Sequence, residues 1–213
     1  LEQKEIVPET LIDALKCRFG EHRVIDVPST EGDFPLILLD LELKSPVTVL
    51  MTNGLSNFTM PVHEKHQDRA HIELYFCLPS YWSFEDLNDP NTNWVYSWIR
   101  RLANFVIEKN TWFGHGHTMP CGKEMQPLSA TMKQNHFFLS DPMLLERELA
   151  PLNLGNKIVH FLAIIPIFPD EMDFKQGKGT FKFQQKLIQH GISEKLDDYR
   201  GTVLRSKWRL LSR

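Results

Sequence analysis

Two histidines stand two residues apart among glycines in residues 111–120, TWFGHGHTMP. Side chains alternate along a strand with period two, so a strand here would put His115 and His117 on one face. That geometry suits a metal ion, with His71, Glu73 or His63 completing the ligand set in space. It equally suits a surface that binds another protein. A metallo-hydrolase pattern H-x-H-x-D-H would need Asp at 119 and His at 120, where Met119 and Pro120 stand. A metal-dependent hydrolase using His115 and His117 is therefore the alternative reading, and no metal or other cofactor is expected.

Other chemical patterns are each missing a required residue. His63-Glu64-Lys65-His66 places its second histidine one position short of the i, i+4 pair that H-E-x-x-H needs on one helical face. Gly54-Leu55-Ser56-Asn57-Phe58 follows a predicted strand like a nucleophile elbow, but Phe58 replaces the small residue that lets a helix pack beneath the serine. Gly177-Lys178-Gly179-Thr180 has Met172 where a phosphate-binding loop needs its first glycine, and it reads as a turn before a helix. Asp170-Glu171 lies just past a strand, where it can cap a helix or face solvent. His160, inside an apolar strand, reads as a hydrogen-bonded core or half-buried residue. No catalytic set is complete, and the chain is read as a non-enzyme.

Elements that would position these residues follow from periodicity and punctuation. Leu11, Ile12, Leu15 and Phe19 have helical spacing between Pro8 and Gly20. Strands are expected over 22–28, 35–43 and 47–52, the last closed by Asn53-Gly54. Residues 61–69 read as a loop. In 70–79, Ile72, Leu74, Phe76 and Leu78 alternate with His71, Glu73, Tyr75 and Cys77, predicting a long strand with one deeply buried face. A turn-rich stretch leads to the clearest helix, 94–109, whose apolar stripe runs from Trp94 and Val95 to Phe105 and Val106. Residues 111–120 look like a strand carrying two glycines. Further strands are expected over 136–142 and 157–168, a helix over 181–190 packing Phe183, Leu187 and Ile188, and a strand near 202–205. Strands and helices mix without strict βαβ alternation, so the fold class is α+β: a mixed, mainly antiparallel sheet flanked by helices, in one domain over 1–213.

Bulk properties exclude several function classes. The chain has 213 residues, 42% of them hydrophobic, enough for a core. A formal charge of −3 gives no general attraction to nucleic acid or to a membrane surface. Arg205, Lys207, Arg209 and Arg213 form a basic tail whose simplest reading is a solvated terminus. Cys17, Cys77 and Cys121 are odd in number and form no CxxC, so a reducing, cytoplasmic setting is expected. No apolar run approaches the ~20 residues of a membrane helix.

Several segments taken together resemble the suppressor-of-fused domain family: TNGLSNFTMPV (52–62), HIELYFCLPSYW (71–82), WVYSWIRRLANFVIEKNTWFGHGHTMP (94–120), HFFLSDP (136–142), IVHFLAIIPIFPDEM (158–172) and DDYRGTVLR (197–205). The resemblance implies a non-enzymatic protein-binding module with the fold of the family's N-terminal lobe. In animal relatives that lobe belongs to a two-lobed protein that sequesters a transcription factor. Single-lobe relatives are typical of bacteria and are inferred to include immunity proteins that neutralise toxins. His117 belongs to the family pattern and His115 is incidental. Animal members carry an acidic residue where this chain has Gly116, so the animal partner is not carried across. The expected partner is a protein, a toxin or a regulator, contacted through Phe105, His115, Gly116, His117 and Met119. The glycines would allow close backbone approach, and an exposed strand edge could pair with an extended segment.

Overall fold

The computed structural model describes residues 8–84, 89–122 and 124–204. Helix α1 (Leu11–Phe19) starts where the Thr10 hydroxyl accepts the Asp13 N–H at 3.1 Å and ends at Gly20, φ +98°. Strands β1 (Val24–Asp26), β2 (Leu36–Leu41), β3 (Val47–Thr52) and β4 (Ile72–Pro79) follow, each antiparallel to the one before. After α2 (Trp94–Glu108) come β5 (Thr118–Pro120), β6 (His136–Ser140), β7 (Leu152–Asn153) and β8 (Ile158–Ile167). Helices α3 (Pro169–Lys178) and α4 (Thr180–Gln189) come last. The strand order is β1-β2-β3-β4-β8-β6-β5, with β7 paired to β8, and among these strands β4 and β8 alone run parallel. The architecture is α+β with a mixed, mainly antiparallel sheet, as expected.

Strand β4 shows how the layers assemble. Ile72, Leu74, Phe76 and Leu78 pack in one core with Trp94, Ile99, Leu102 and Val106 of α2. Tyr75 and Cys77 face the other core, with Leu15 of α1 and Phe183 and Leu187 of α4. Every β4 residue is buried. The expected single buried face is thus two, because helices cover both sides of the sheet centre. β8, too apolar for an edge, lies between β4 and β6.

Local departures from expectation have physical causes. Residues 64–69 form 3-10 turns within the expected loop. Helix α3 has a weak apolar periodicity and a glycine near its end; the turn before α4 shrinks to Gly179, φ +86°. Ile188 points outward and is 61% exposed, while Phe183 and Leu187 are buried. Residues 202–204 form no strand. Arg205 and the rest of the basic tail, Lys207, Arg209 and Arg213, lie outside the described residues.

Candidate functional site

The stretch joining α2 to β6 is fixed by aromatic packing and one turn. Phe113 is buried, lies 6.1 Å from the Phe105 ring and donates its N–H to the Met60 sulfur at 3.4 Å. Trp112 is half-buried between the His66 ring at 6.0 Å and the His117 ring at 4.3 Å. The His117 N–H then bonds back to the Gly114 carbonyl at 3.1 Å, closing a turn whose third residue, Gly116, has φ +90°. The Gly116 N–H donates to the Leu139 carbonyl and the Leu139 N–H to the His117 carbonyl, each at 2.8 Å. Two residues thus oppose one, the pattern of a glycine-led bulge that redirects the chain into β5.

This turn separates the two histidines. His115 accepts the Asp141 N–H on Nδ1 at 3.1 Å and meets Phe138 edge-on at 6.0 Å; a neutral ring then carries its proton on Nε2. His117 packs on Trp112. Burial pushes its pKa down, Lys175 pushes it further, and a hydrogen bond with the Trp112 backbone opposes both. The expected strand over 111–120 is confined to Thr118–Pro120, so the premise that put both imidazoles on one face does not hold. Among the described residues, no three His, Cys, Asp or Glu side chains group around a point that could hold a metal. Glu73, a candidate ligand by sequence, is committed elsewhere. Its carboxylate accepts the Thr52 hydroxyl and the N–H groups of Gly54, Leu55 and Ser56, the last three at 3.0–3.2 Å. Burial raises its pKa and those donors pull it back. The apparent nucleophile elbow is therefore a turn clasped by a buried acid.

Gly116 also needs correction. It is buried, and a Cβ there would lie 2.8 Å from the Thr180 hydroxyl, so its close approach is to α4 of its own chain. It shapes the turn and does not offer backbone to a partner.

Phe105 and Met119 do come together. Among the described residues, β5 is the last strand of the sheet and pairs with β6 alone. The Leu139–His117 bond and the Cys121 N–H to Asn135 carbonyl bond, both 2.8 Å, face β6. By strand alternation, the backbone groups of Thr118 and Pro120 face away, and proline has no N–H to offer. Beside this edge, Phe105, Met119, Trp98, Leu102 and Pro120 line a mainly apolar groove of about 230 Å³. The Arg101 guanidinium lies over the Trp98 ring, 4.9 Å from its centroid, at the groove's rim. Trp98, Arg101 and Leu102 were not singled out from sequence as contacts; their shared face with Phe105 at helical spacing was the available signal. His115 lines a separate cavity of about 250 Å³ with Trp112, Arg69 and Asp141.

A family model described as "Suppressor of fused protein (SUFU)" matches residues 30–200. The chain belongs to the suppressor-of-fused family. Three solved structures share its fold. A Sufu–Fu complex structure matches at TM-score 0.66 and 16% identity, over 92% of this chain and 93% of that one. Drosophila Suppressor of Fused matches at TM-score 0.65 and 17% identity, over 91% of this chain and 50% of its own length. A suppressor-of-fused homologue from Neisseria gonorrhoeae matches at TM-score 0.64 and 18% identity, over 94% and 98%. No curated protein matches the chain. The suppressor-of-fused family is known for protein-interaction modules.

Segments that carried the sequence resemblance hold one another in this suppressor-of-fused chain. Glu73 of HIEL clasps the GLSN turn. Glu171 of PDEM, fully buried, receives both Arg200 guanidinium nitrogens from DDYR at 2.7 and 2.8 Å, together with the Val203 and Phe168 N–H groups. Arg200 also donates to the Pro166 carbonyl at 2.7 Å and lies over the Phe168 ring. Glu194 accepts the N–H groups of Met143, Leu144 and Leu145 at 2.8–3.0 Å. Among the described residues, no helix is long and apolar enough to cross a membrane.

Proposed function

We propose that this chain binds a protein reversibly and without chemistry, at the β5 edge and the groove beside it. The observation that carries the reading is the meeting of Phe105 and Met119 across an apolar groove, next to a strand edge that is unpaired among the described residues. An extended partner segment would pair with the outward groups of Thr118 and seat a bulky apolar side chain between Phe105 and Met119. His115 and His117 flank the edge, and Gly116 holds the turn between them. The partner classes are a toxin that the chain neutralises or a regulator that it sequesters, in the cytoplasm.

Affinity capture with the tagged chain, followed by titration of the recovered protein, tests this. Anchors of this kind contribute about 2 kcal/mol or more each, so Phe105→Ala and Met119→Ala should each weaken binding about thirtyfold. Thr118→Pro removes the outward N–H at a tolerated edge position and should weaken binding separately. A captured protein whose affinity is unchanged in all three variants refutes this site.

A further inference from the structure

The groove beside β5 carries charge of one sign. Of the described residues that line it, Arg101 alone ionises; the others are apolar or aromatic, with one glycine. Arg101 is exposed and makes no ion pair among the described residues. Its neighbour Arg100 differs, reaching Asp33 at 3.6 Å and the Phe34 carbonyl at 3.2 Å. Side chains three and four residues away could pair with Arg101 along α2, but these are Ser97, Trp98, Asn104 and Phe105, none of them acidic. Glu108, the one acid in α2, stands seven residues on, about 10 Å along the axis, and does not line the groove.

The Trp98 ring sets the posture of this guanidinium. The two lie 4.9 Å apart, centre to centroid, within cation–π range. A guanidinium stacked by its face keeps its N–H groups in its own plane, where a carboxylate can accept two of them. Its fork is held before a partner arrives, so less freedom is lost when the pair forms. The spacing along the groove is also set. Arg101 and Phe105 are four residues apart, about 6 Å along the helix axis. In an extended chain, side chains i and i+2 share a face and lie about 6.6 Å apart. An extended segment lying along α2 with a bulky residue at Phe105 therefore brings the side chain two positions away to Arg101.

Taking this groove as the binding site, we infer that the bound segment is acidic as well as apolar. It carries an Asp or Glu two positions from its apolar anchor, and that carboxylate pairs with Arg101. The anchor supplies most of the affinity, while the arginine chooses among apolar segments. A segment with Lys or Arg at the same place is rejected by like charge. The partner is thus a protein that exposes an extended acidic–apolar strand.

Selection of phage-displayed random dodecapeptides on the full chain tests this, repeated on Arg101→Gln, on Arg101→Glu and on a Phe105→Ala, Met119→Ala double variant. Peptides recovered on the native chain should share a large apolar residue with Asp or Glu two positions away. Arg101→Gln should keep the apolar residue and lose the acid; Arg101→Glu should exchange the acid for Lys or Arg. Replacing the acid of a selected synthetic peptide by its amide should weaken binding to the native chain about fivefold, the upper end for an exposed pair. That loss should shrink at high salt and vanish on Arg101→Gln. Arg101 is exposed, so both of its variants should keep the native circular dichroism. Peptides that need Phe105 and Met119 but show no acidic preference, or an acidic preference that survives Arg101→Glu, overturn the inference and leave the groove as the binding site. Peptides recovered equally by the double variant, or no peptides at all, overturn both.

Discussion

Arg200→Ala is the most informative perturbation of the fold. Glu171 is fully buried and the Arg200 side chain only 5% exposed, so solvent screens the pair little. Removing the guanidinium leaves an uncompensated buried carboxylate and strips the Pro166 carbonyl of its donor. Breaking a buried pair on one side costs about 3–5 kcal/mol. For a chain of this length each kcal/mol moves the melting midpoint by about 2–4 °C, so a fall of roughly 6–20 °C is expected. Arg200→Lys keeps the charge but not the two-pronged geometry, and should lose roughly half as much. Urea and thermal denaturation of the three proteins measure all of this. An Arg200→Ala deficit below about 1 kcal/mol would refute the reasoning, because such a value belongs to an exposed pair.

Three further outcomes are expected. Gly116→Ala combines φ +90° with a Cβ 2.8 Å from the Thr180 hydroxyl; it should cost about 1–3 kcal/mol in urea denaturation, and adding Thr180→Ala should recover only the steric part. Glu73→Gln turns an amide N–H₂ toward donors that need an acceptor and should cost about 1–3 kcal/mol by the same assay. His117, His136 and His160 all have pKa values lowered by burial. The unfolded chain therefore takes up their protons first, and stability should fall as pH drops below about 6.5. Glu73 acts in the opposite sense through its raised pKa, so the slope that a His117→Gln variant loses isolates the histidine's share. An unaltered slope in that variant would assign the acid response elsewhere.

Much of the fold was legible because its signals are local. VTVLMT became β3 residue for residue, since six β-forming residues end at an Asn-Gly turn. The 94–109 helix was equally clear, with seven apolar residues on one stripe. Helix α3 was missed because Met172 and Phe174 are too few for a 3.6-residue period, and its stability comes from Glu171, Arg200 and the helix start, contacts distant in sequence. The same limit applies to the site. Phe105 and Met119 were legible as candidates, but the groove exists only once β5 is brought beside α2. Gly116 was read as an approach for a partner because sequence cannot show that Thr180 already occupies that side. Glu73 entered the sequence reading only as a possible metal ligand; its actual partners, within residues 52–56, needed the β3–β4 register.

The brevity of β5 has a consequence for the protein's company in a crowded cell. Long open strand edges recruit indiscriminately, including further copies of the same chain. Here the free edge presents a single outward N–H at Thr118, and Pro120 ends the run. In the proposed binding mode, backbone pairing is too short to hold a guest by itself, so a guest must also fit the side chains of the groove. Selectivity and resistance to self-polymerisation then share one origin: a strand with room for one handshake and no second.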